Sequence, residues 1–565
     1  MKLIESIKKT PIAFDPLLGN ALSDDWAATG ELAEVLKGIG GCSPYLNDIL
    51  RQEQVWISEA ILSKNPLKKI LPSDLGRHPG QTLRQAKRRV AGYLALAELS
   101  GAYTLSETTQ HLTEFADAAV SAAFNSAFNP YRLSGKISSN DNIFVIAMGK
   151  MGAGELNYSS DIDLIIMFDD RNMDQVQSAQ LRQVLVRATR SAIKLLSEVT
   201  EFGYVFRTDL RLRPDPSVTP ICVGMTSALE YYESLGRTWE RAAFIKARVC
   251  AGNYEAGYVF LKQMVPFVWR RYLDFSAVEE AHKLRLKIRN KTGTKSVHSI
   301  AGQDIKLGRG GIREIEFFTQ TRQLISGGRD PELRVAKTLK ALDQLRVKDW
   351  ISEFHCDQLR DSYTYLRHTE HALQMVRDAQ TQSIPTDPDG IARVAAMLGQ
   401  SFDIFCKETT THLNVVHEIA ESFFAPSINP MPEINIDGQN DITSHWPRYP
   451  ALRSERATAL FERLRPKILN SLNSAPDPKE ALIQFDNFLK GLPAGIQIFS
   501  LFASNPKLLD LITDIVVIAP ALARYLGQNS GVLDTVLSGE FFSTWPKSVI
   551  LEAQLSKLLA QSSDY

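Results

Sequence analysis

The sequence has few cysteines, no long apolar run and no net charge, and each of these absences excludes a class of protein. Its five cysteines are scattered without a C-x-x-C pair, which favours free thiols over disulfides or a zinc site. No run approaches the roughly 18 apolar residues of a membrane span, and the N-terminus lacks a signal-peptide core. We therefore predict a cytoplasmic protein that does not enter a membrane. Because Lys+Arg and Asp+Glu both number 64, the composition also argues against a nucleic-acid partner.

Two familiar functional patterns are missing as well. Gly149 and Lys150 are followed by Met151, so the segment is not a Walker A loop, which needs Ser or Thr there. His368 and His371 lie one helical turn apart but lack the H-E-x-x-H spacing of a zinc site. We expect both histidines to lie on the surface.

The periodicity of apolar residues predicts an α+β fold in a largely helical chain of several domains. We predict these segments: helices over 1–114, including one at 81–99; a core over 115–225 with strands at 143–148, 163–168 and 204–213 and a helix at 178–200; helices over 226–425; a proline-containing linker over 426–445; and a last helical region over 446–565, with helices at 453–472 and 478–489.

A glycine-rich segment followed by two aspartates is the most informative part of the core. The sequence GKMGAG begins at Gly149, after a buried strand, and Asp161 and Asp163 open the next strand. Because side chains alternate along a strand, the two carboxylates point the same way and repel each other by about 4 kcal/mol at 4 Å. A hard divalent cation would offset that repulsion, and the backbone N–H groups of a glycine loop suit a phosphate. The alternative is that both aspartates simply cap a strand at the surface.

A second charged segment, RTDLRLRP, begins at Arg207. If it is a strand, then Arg207, Asp209, Arg211 and Arg213 share one face. This face would bring a third carboxylate beside guanidiniums that can bind phosphate oxygens. The alternative is a solvated edge strand protected by its charges.

Together these blocks resemble the polymerase-β-like nucleotidyltransferases and, more narrowly, the glutamate–ammonia-ligase adenylyltransferase family. The narrower resemblance also rests on residues 207–220, 237–252 and 308–334, and it extends from roughly residue 30 to the end. It implies a polymerase-β-like nucleotidyltransferase core, a small mixed sheet with helices. Members of this family carry two such domains. The N-terminal one removes AMP from a tyrosine of glutamine synthetase by phosphorolysis, and the C-terminal one attaches AMP from ATP.

This chain contains one glycine–aspartate block, and residues 430–565 contain no second one. The resemblance therefore implies the adenylyl-removing half together with the family's central helical region, and a chain that ends short of the second domain. The implied partners are adenylylated glutamine synthetase, ATP or ADP with phosphate, and the PII-class signal protein that regulates the family.

The resemblance also implies roles for particular residues. Asp161, Asp163 and Asp209 would be catalytic and would hold one or two Mg²⁺ ions, with Mn²⁺ as an alternative. Phosphate and nucleotide would be bound by Gly149, Lys150, Gly152, Ser160, Arg211, Arg213, Lys246 and Arg248. Lys246 and Arg248 lie in a stretch that we predict to be helical, and exposed helix ends are the favoured interpretation of both. For Arg313 and Glu316 only the resemblance suggests an approach to substrate, because a solvated helix face explains their spacing.

Two functions of other classes stay open at this stage. The chain could be a different nucleotidyltransferase, acting on RNA or on a small molecule. It could also be a regulatory module that captures glutamine synthetase or the PII-class protein without catalysis, although three intact aspartates argue against that.

Overall fold

The computed structural model describes residues 2–72, 75–137, 142–270, 300–424, 439–453, 455–492, 498–499, 502 and 506–528. The chain divides into two compact units, Met1–Ala420 and Glu421–Tyr565. In the described ranges, the first unit contains a small mixed sheet among many helices, and the second unit is helical. This composition agrees with the expected α+β class, while the five predicted segment boundaries stay predictions.

The helices of the first unit precede, surround and follow the sheet. Those before it are α1 (Pro16–Asp25), α2 (Gly30–Cys42), α3 (Pro44–Gln52), α4 (Gln54–Ala60), α5 (Pro79–Leu99) and α6 (Leu105–Leu133). Those among the strands are α7 (Gly149–Ala153), α8 (Gln175–Ser197), α9 (Met225–Ser234), α10 (Thr238–Phe244) and α11 (Tyr254–Val268). Those after it are α12 (Ile312–Ser326), α13 (Thr338–Val347), α14 (Glu353–Met375), α15 (Pro388–Met397) and α16 (Phe402–Phe424), which runs to the end of the unit and four residues beyond it.

The sheet is built around two antiparallel hairpin-like neighbours, β1 (Ile143–Ala147) and β2 (Asp161–Phe168). Strand β5 (Arg248–Gly252) pairs antiparallel with the free edge of β1. The other edge of β2 carries two short parallel strands in succession, β3 (Arg207–Asp209) and β4 (Cys222–Gly224). The sheet is therefore mixed, and β3 pairs only with the residues that begin β2.

Both faces of β1 and β2 are covered, which explains their unbroken apolar sequence. On one face Phe144, Ile146 and Ile165 belong to a buried cluster that includes side chains of α9 and α11. On the other face Val145 and Ile166 are almost fully buried too. The polar residues of β2 are Asp161 and Asp163, both at its start. The two aspartates therefore lie at one end of a buried sheet.

A local sequence signal places the start of α8, whereas the third strand is far shorter than expected. Helix α8 begins at Gln175, ahead of the predicted residue 178, because Asp174 accepts the backbone N–H of Gln177 and caps the helix. The predicted strand over 204–213 is wrong on both sides of β3: pairing with β2 covers residues 207–209 only, and the chain turns after Asp209. Consequently Arg211 and Arg213 do not share a strand face with Asp209.

The predicted surface position of His371 is also wrong. Its ring is buried, and its Nδ1 lies 2.9 Å from both carboxylate oxygens of Glu98 on α5. His368 Nδ1 lies 2.7 Å from the same carboxylate. The two histidines therefore attach α14 to α5, a role that explains their spacing of one helical turn without a metal.

The second unit contains α17 (Gln439–Thr443), α18 (Glu455–Asn473), α19 (Pro478–Gly491), α20 (Pro506–Ile518) and α21 (Pro520–Gln528). Short 3₁₀ turns complete the described secondary structure in both units, at Leu3–Glu5, Pro66–Lys69, Pro331–Leu333, Trp446–Arg448 and Pro450–Leu452. Much of the predicted linker lies outside the described residues, but its last part is helical in α17. The predicted helices at 453–472 and 478–489 correspond to α18 and α19.

In the described ranges no helix is long and apolar enough to cross a membrane. The five cysteines are free thiols; four are buried and Cys406 is half-buried. Burial raises the pKa of Cys42 to about 11, so that thiol stays protonated and unreactive at neutral pH.

Candidate active site

Three aspartates converge where β2 begins and the parallel strand β3 ends. The parallel register pairs Asp163 with Asp209 and Asp161 with Arg207. Because positions 161 and 163 share a face of β2, one carboxylate oxygen from each of the three aspartates lies within 4.8 Å of the others. Such a set of oxygen ligands fits a hard divalent cation.

The pKa of Asp163 reflects the repulsion among the three carboxylates. Burial, followed by the negative charges of Asp161 and Asp209, raises the pKa of Asp163 to about 7. The positive charges of Lys306 and Arg313 act in the opposite direction but do not cancel the effect. A cation placed among the three carboxylates would remove the repulsion, so the donor set fits Mg²⁺ both in chemistry and in charge.

Gly149 is required beside this carboxylate for two reasons. Its φ of +54° lies in the left-handed region, and an added Cβ would lie 2.7 Å from Asp163 Oδ2. The glycine therefore allows the first turn of α7 to approach the acidic cluster closely. Only a residue without a side chain leaves room there for both the carboxylate and an incoming ligand.

Asp209 is held by hydrogen bonds from Arg211, two residues later in the chain. Arg211 donates from Nε to both carboxylate oxygens of Asp209, and its backbone N–H also donates to Oδ1. These hydrogen bonds lower the pKa of Asp209 below its usual value. The Arg211 side chain is itself 83 % exposed, so its guanidinium lies at the open side of the site.

The aspartates form one side of a cavity of about 660 Å³, which we call the carboxylate cavity. Its walls come from α7, β2, β3, α10, α12 and the segments beside them. The lining residues are Gly149, Lys150, Ser160, Asp161, Asp163, Asp209, Arg211, Leu212, Trp239, Ala242, Ala243, Lys246, Lys306, Arg313, Glu316, Phe317 and Gln320. The cavity thus combines an acidic cluster, several cations and an apolar wall.

Two comparisons with known proteins show what this chain is similar to. The family model of glutamate-ammonia ligase adenylyltransferase matches residues 41–263, and that of GlnD PII-uridylyltransferase matches residues 281–424. Bifunctional glutamine synthetase adenylyltransferase/adenylyl-removing enzymes are similar over most of the chain. The one from Mesorhizobium japonicum is 39 % identical over 86 % of this chain and 52 % of its own length. Those from Bradyrhizobium sp. (strain ORS 278) and Rhizobium meliloti are 36 % and 37 % identical, over 98 % and 95 % of this chain and 60 % of their own length.

The chain belongs to the glutamate-ammonia ligase adenylyltransferase family. It spans between about half and three-fifths of the length of these curated relatives. The three aspartates all lie in the segment that the adenylyltransferase model matches. Lys306 and the cavity residues of α12 lie in the segment that the uridylyltransferase model matches. The cavity is therefore lined by residues from two segments that match different family models.

The predicted lysines line the cavity but are not exposed. Lys246 follows α10 and is buried, with its ammonium 3.3 Å from Glu155 Oε2 and 3.0 Å from Glu316 Oε1. Although burial by itself lowers the pKa of Lys246, the two glutamates outweigh it and hold the pKa above its usual value. Lys150 is half-buried, with 10 % of its side chain exposed, and contacts Glu370. The favoured interpretation of Lys246 as an exposed helix end is wrong.

Three predicted binding residues lie outside the carboxylate cavity. Arg213 donates to Leu210 O and to two other carbonyls of its own loop, and so closes that loop. Arg248 begins β5 rather than lying on a helix, and it forms a bidentate pair with Asp117 on α6. An added Cβ on Gly152 would lie 1.9 Å from Lys246 O, so this glycine serves packing between α7 and the chain before β5.

Other residues at the site were not predicted from sequence. Lys306 and Gln320 line the cavity, and Gln380 donates from Nε2 to Asp161 Oδ1 at 3.0 Å. Of these three residues, only Lys306 lies in a turn that the sequence can indicate. Asp304 Oδ1 accepts the backbone N–H groups of Lys306 and Leu307 and so shapes the turn ahead of α12. Gln380 follows α14 in a segment without any recognisable pattern.

Proposed function

We propose that this chain removes AMP from an adenylylated tyrosine of glutamine synthetase by phosphorolysis, giving ADP and the unmodified tyrosine. The observation that carries the proposal is the convergence of Asp161, Asp163 and Asp209 inside a cavity of nucleotide size. The names of the relatives, which join adenylyltransferase and adenylyl-removing activities, support the reaction class.

The three aspartates would hold one or two Mg²⁺ ions, and Mn²⁺ has the same ligand preferences. When bound, such ions supply positive charge to the attacking and leaving oxygens of a displacement at phosphorus. Residues of the chain then have the task of fixing the two oxygens and the nucleotide around the cluster. The mixed sheet with both aspartates at the start of one strand is what we expect of a polymerase-β-like nucleotidyltransferase core.

The groups available for proton transfer favour this direction of the reaction. An oxygen of inorganic phosphate forms the new bond to the phosphorus of AMP, and the bond from that phosphorus to the tyrosine oxygen breaks. Phosphate is anionic at neutral pH and needs no strong base, whereas the phenolate leaves with a pKa near 10 and takes up a proton. None of the described residues that line the cavity is a histidine. This lining suits removal better than attachment, which must first deprotonate the phenol.

The apolar wall of the cavity suits the base of the nucleotide. Trp239, Ala242 and Ala243 lie on one face of α10, and Phe317 faces them from α12. Two small side chains leave a slot beside the indole, which is 42 % exposed. Base–aromatic stacking contributes about 1–3 kcal/mol, and we infer that adenine stacks on Trp239.

The order of segments in the chain supports the adenylyl-removing half. The glycine–aspartate block precedes a helical region, as the family resemblance implies for the N-terminal domain and the central region. We further infer that a PII-class signal protein regulates this chain. The similarity of residues 281–424 to PII-uridylyltransferase supports that inference, because those residues supply part of the cavity wall.

The test is release of ADP from adenylylated glutamine synthetase when phosphate and Mg²⁺ are added. We expect release with the wild-type chain and its loss in Asp161→Asn and Asp163→Asn, since the substitutions keep the shape of the side chain and remove its charge. Asp169→Asn is the matched control, because Asp169 follows the far end of β2 and pairs with Arg171. Incorporation of AMP into unmodified synthetase, without phosphate-dependent release, would contradict the proposed direction.

A further inference from the structure

Helix α14 and the turn after it contact the segment 150–161 at successive points. Arg367 donates to Glu155 O at 2.7 Å and to Asn157 Oδ1 at 2.6 Å. Further along, Gln374 Oε1 accepts the backbone N–H of Ser159 at 2.8 Å. The helix therefore supports the whole connection between the glycine turn and the first metal-binding aspartate, from a segment some 200 residues away in sequence.

Glu370 makes the contact of this helix that reaches the carboxylate cavity. Its two carboxylate oxygens lie 2.9 and 2.8 Å from Nζ of Lys150, which lines the cavity. The Lys150 side chain is 10 % exposed and that of Glu370 is fully buried. Within the described part of the chain, two of the three N–H donors of the ammonium are therefore used by Glu370, and one is left.

A buried ammonium is costly unless a partner keeps it charged. Burial lowers the pKa of Lys150 to about 7, and the charges of Arg367 and Lys306 act in the same direction. Glu370 opposes them, with a smaller contribution from Glu316 on α12. The charge of Lys150 thus depends on one carboxylate from α14.

We propose that Glu370 is a positioning residue for the phosphate nucleophile: it holds the Lys150 side chain as an ammonium at the cavity, with one N–H directed to a phosphate oxygen. This inference rests on the phosphorolytic function proposed above. Glu370 does not touch the substrate and acts through Lys150. The glycine turn is in this way coupled to the part of the chain that resembles a PII-uridylyltransferase.

The test compares the KM for phosphate between pH 6 and pH 9 in the wild type and Glu370→Gln. The amide keeps the shape of the side chain but no longer stabilises the ammonium, so Lys150 loses its charge at lower pH. For a shift of one pH unit, we expect the KM to rise about tenfold at pH 8 and about twofold at pH 6. The kcat at saturating phosphate should change much less.

Glu98→Gln is the matched control. Glu98 is also a buried carboxylate that holds α14, through His368 and His371, and it lies outside the cavity lining. Both variants are expected to lose stability, but only Glu370→Gln should displace the pH dependence. The ionisation of phosphate itself is common to all three proteins and cancels in the comparison.

A double substitution separates positioning from a general packing role. If Glu370 acts through Lys150, then Lys150→Met with Glu370→Gln should have the same KM for phosphate as Lys150→Met alone. Identical pH profiles in Glu370→Gln and Glu98→Gln, with an active wild type, would overturn the positioning role and leave the phosphorolytic function standing. An inactive wild type would instead refute that function.

Discussion

Replacing Asp163 by Asn tests the electrostatics of the acidic cluster directly. In the metal-free protein at pH 8 the carboxylate oxygens of the cluster lie within 4.8 Å of one another. At an effective dielectric constant of 20, one such pair repels by about 3.5 kcal/mol. Lys306 and Arg313 offset part of this repulsion. We therefore expect the isosteric Asp163→Asn variant to be about 1–3 kcal/mol more stable than the wild type when a chelator is present.

The assay is urea unfolding of the first unit, with EDTA and with excess Mg²⁺. At a concentration one hundred times its Kd, the ion should stabilise the wild type by about 2.7 kcal/mol, because it binds only the folded chain. Asp163→Asn should lose most of this stabilisation. The control Asp169→Asn should keep it and be slightly destabilised in EDTA through loss of its pair with Arg171. A variant that is no more stable than the wild type in EDTA would refute the repulsion, and one that Mg²⁺ stabilises fully would refute the ligand role.

Three further predictions concern the cations and the aromatic wall of the cavity. Arg211→Ala should raise the affinity for Mn²⁺ a few-fold in a titration followed by electron paramagnetic resonance, because the guanidinium no longer competes for Asp209; unchanged affinity would contradict this. Lys246→Met should lower the urea stability by about 3–5 kcal/mol, since it leaves two buried glutamates unpaired, whereas Lys37→Met at an exposed pair should cost less than about 1 kcal/mol. Trp239→Ala should weaken ADP binding by about 1–3 kcal/mol in calorimetry and leave the KM for phosphate unchanged; equal effects on both would place the base elsewhere.

The sequence was sufficient for the parts of the site that depend on local alternation. Asp161 and Asp163 are two residues apart, at the start of an apolar strand, and period two alone predicts that they share a face. The left-handed turn at Gly149 is likewise a local property, because glycine adopts a positive φ readily. Such features need only the residues themselves and their immediate neighbours.

The alternation of polar and apolar residues gave a wrong prediction for β3, because the strand ends before the alternating pattern does. RTDLRLRP continues with period two to Arg213, but the backbone turns after Asp209, where Arg211 N–H donates to the Asp209 carboxylate. A carboxylate that accepts the N–H two residues later favours a turn over a strand. Arg213 then finds carbonyls of its own loop instead of a ligand. The charge pattern cannot reveal which of these two hydrogen-bonding arrangements is the more stable.

Contacts made across long sequence separations had no signal to detect. Glu370 lies in a helix whose charges would suit a solvated face, and its partner Lys150 is 220 residues earlier. Lys246 was expected at the surface for the same reason, yet Glu155 and Glu316 make its burial tolerable. A single sequence shows which residues are charged, but the packing of separate elements decides which charges are paired.

The charges of the described residues at the site bear on the proposed binding of a cation and an anion together. Among the described residues, the lining contains five basic ones, Lys150, Arg211, Lys246, Lys306 and Arg313, and four acidic ones, the three aspartates and Glu316. Glu155 and Glu370 lie directly behind and pair with the two lysines. Arg367 in turn pairs with Glu370. With every one of these described groups ionised, the six positive and six negative charges of the metal-free site balance, whereas one divalent cation would give the site two net positive charges. The buried glutamates thus favour the ionised form of the lysines without giving the site a net positive charge, and a cation in the acidic cluster would strengthen its attraction for phosphate.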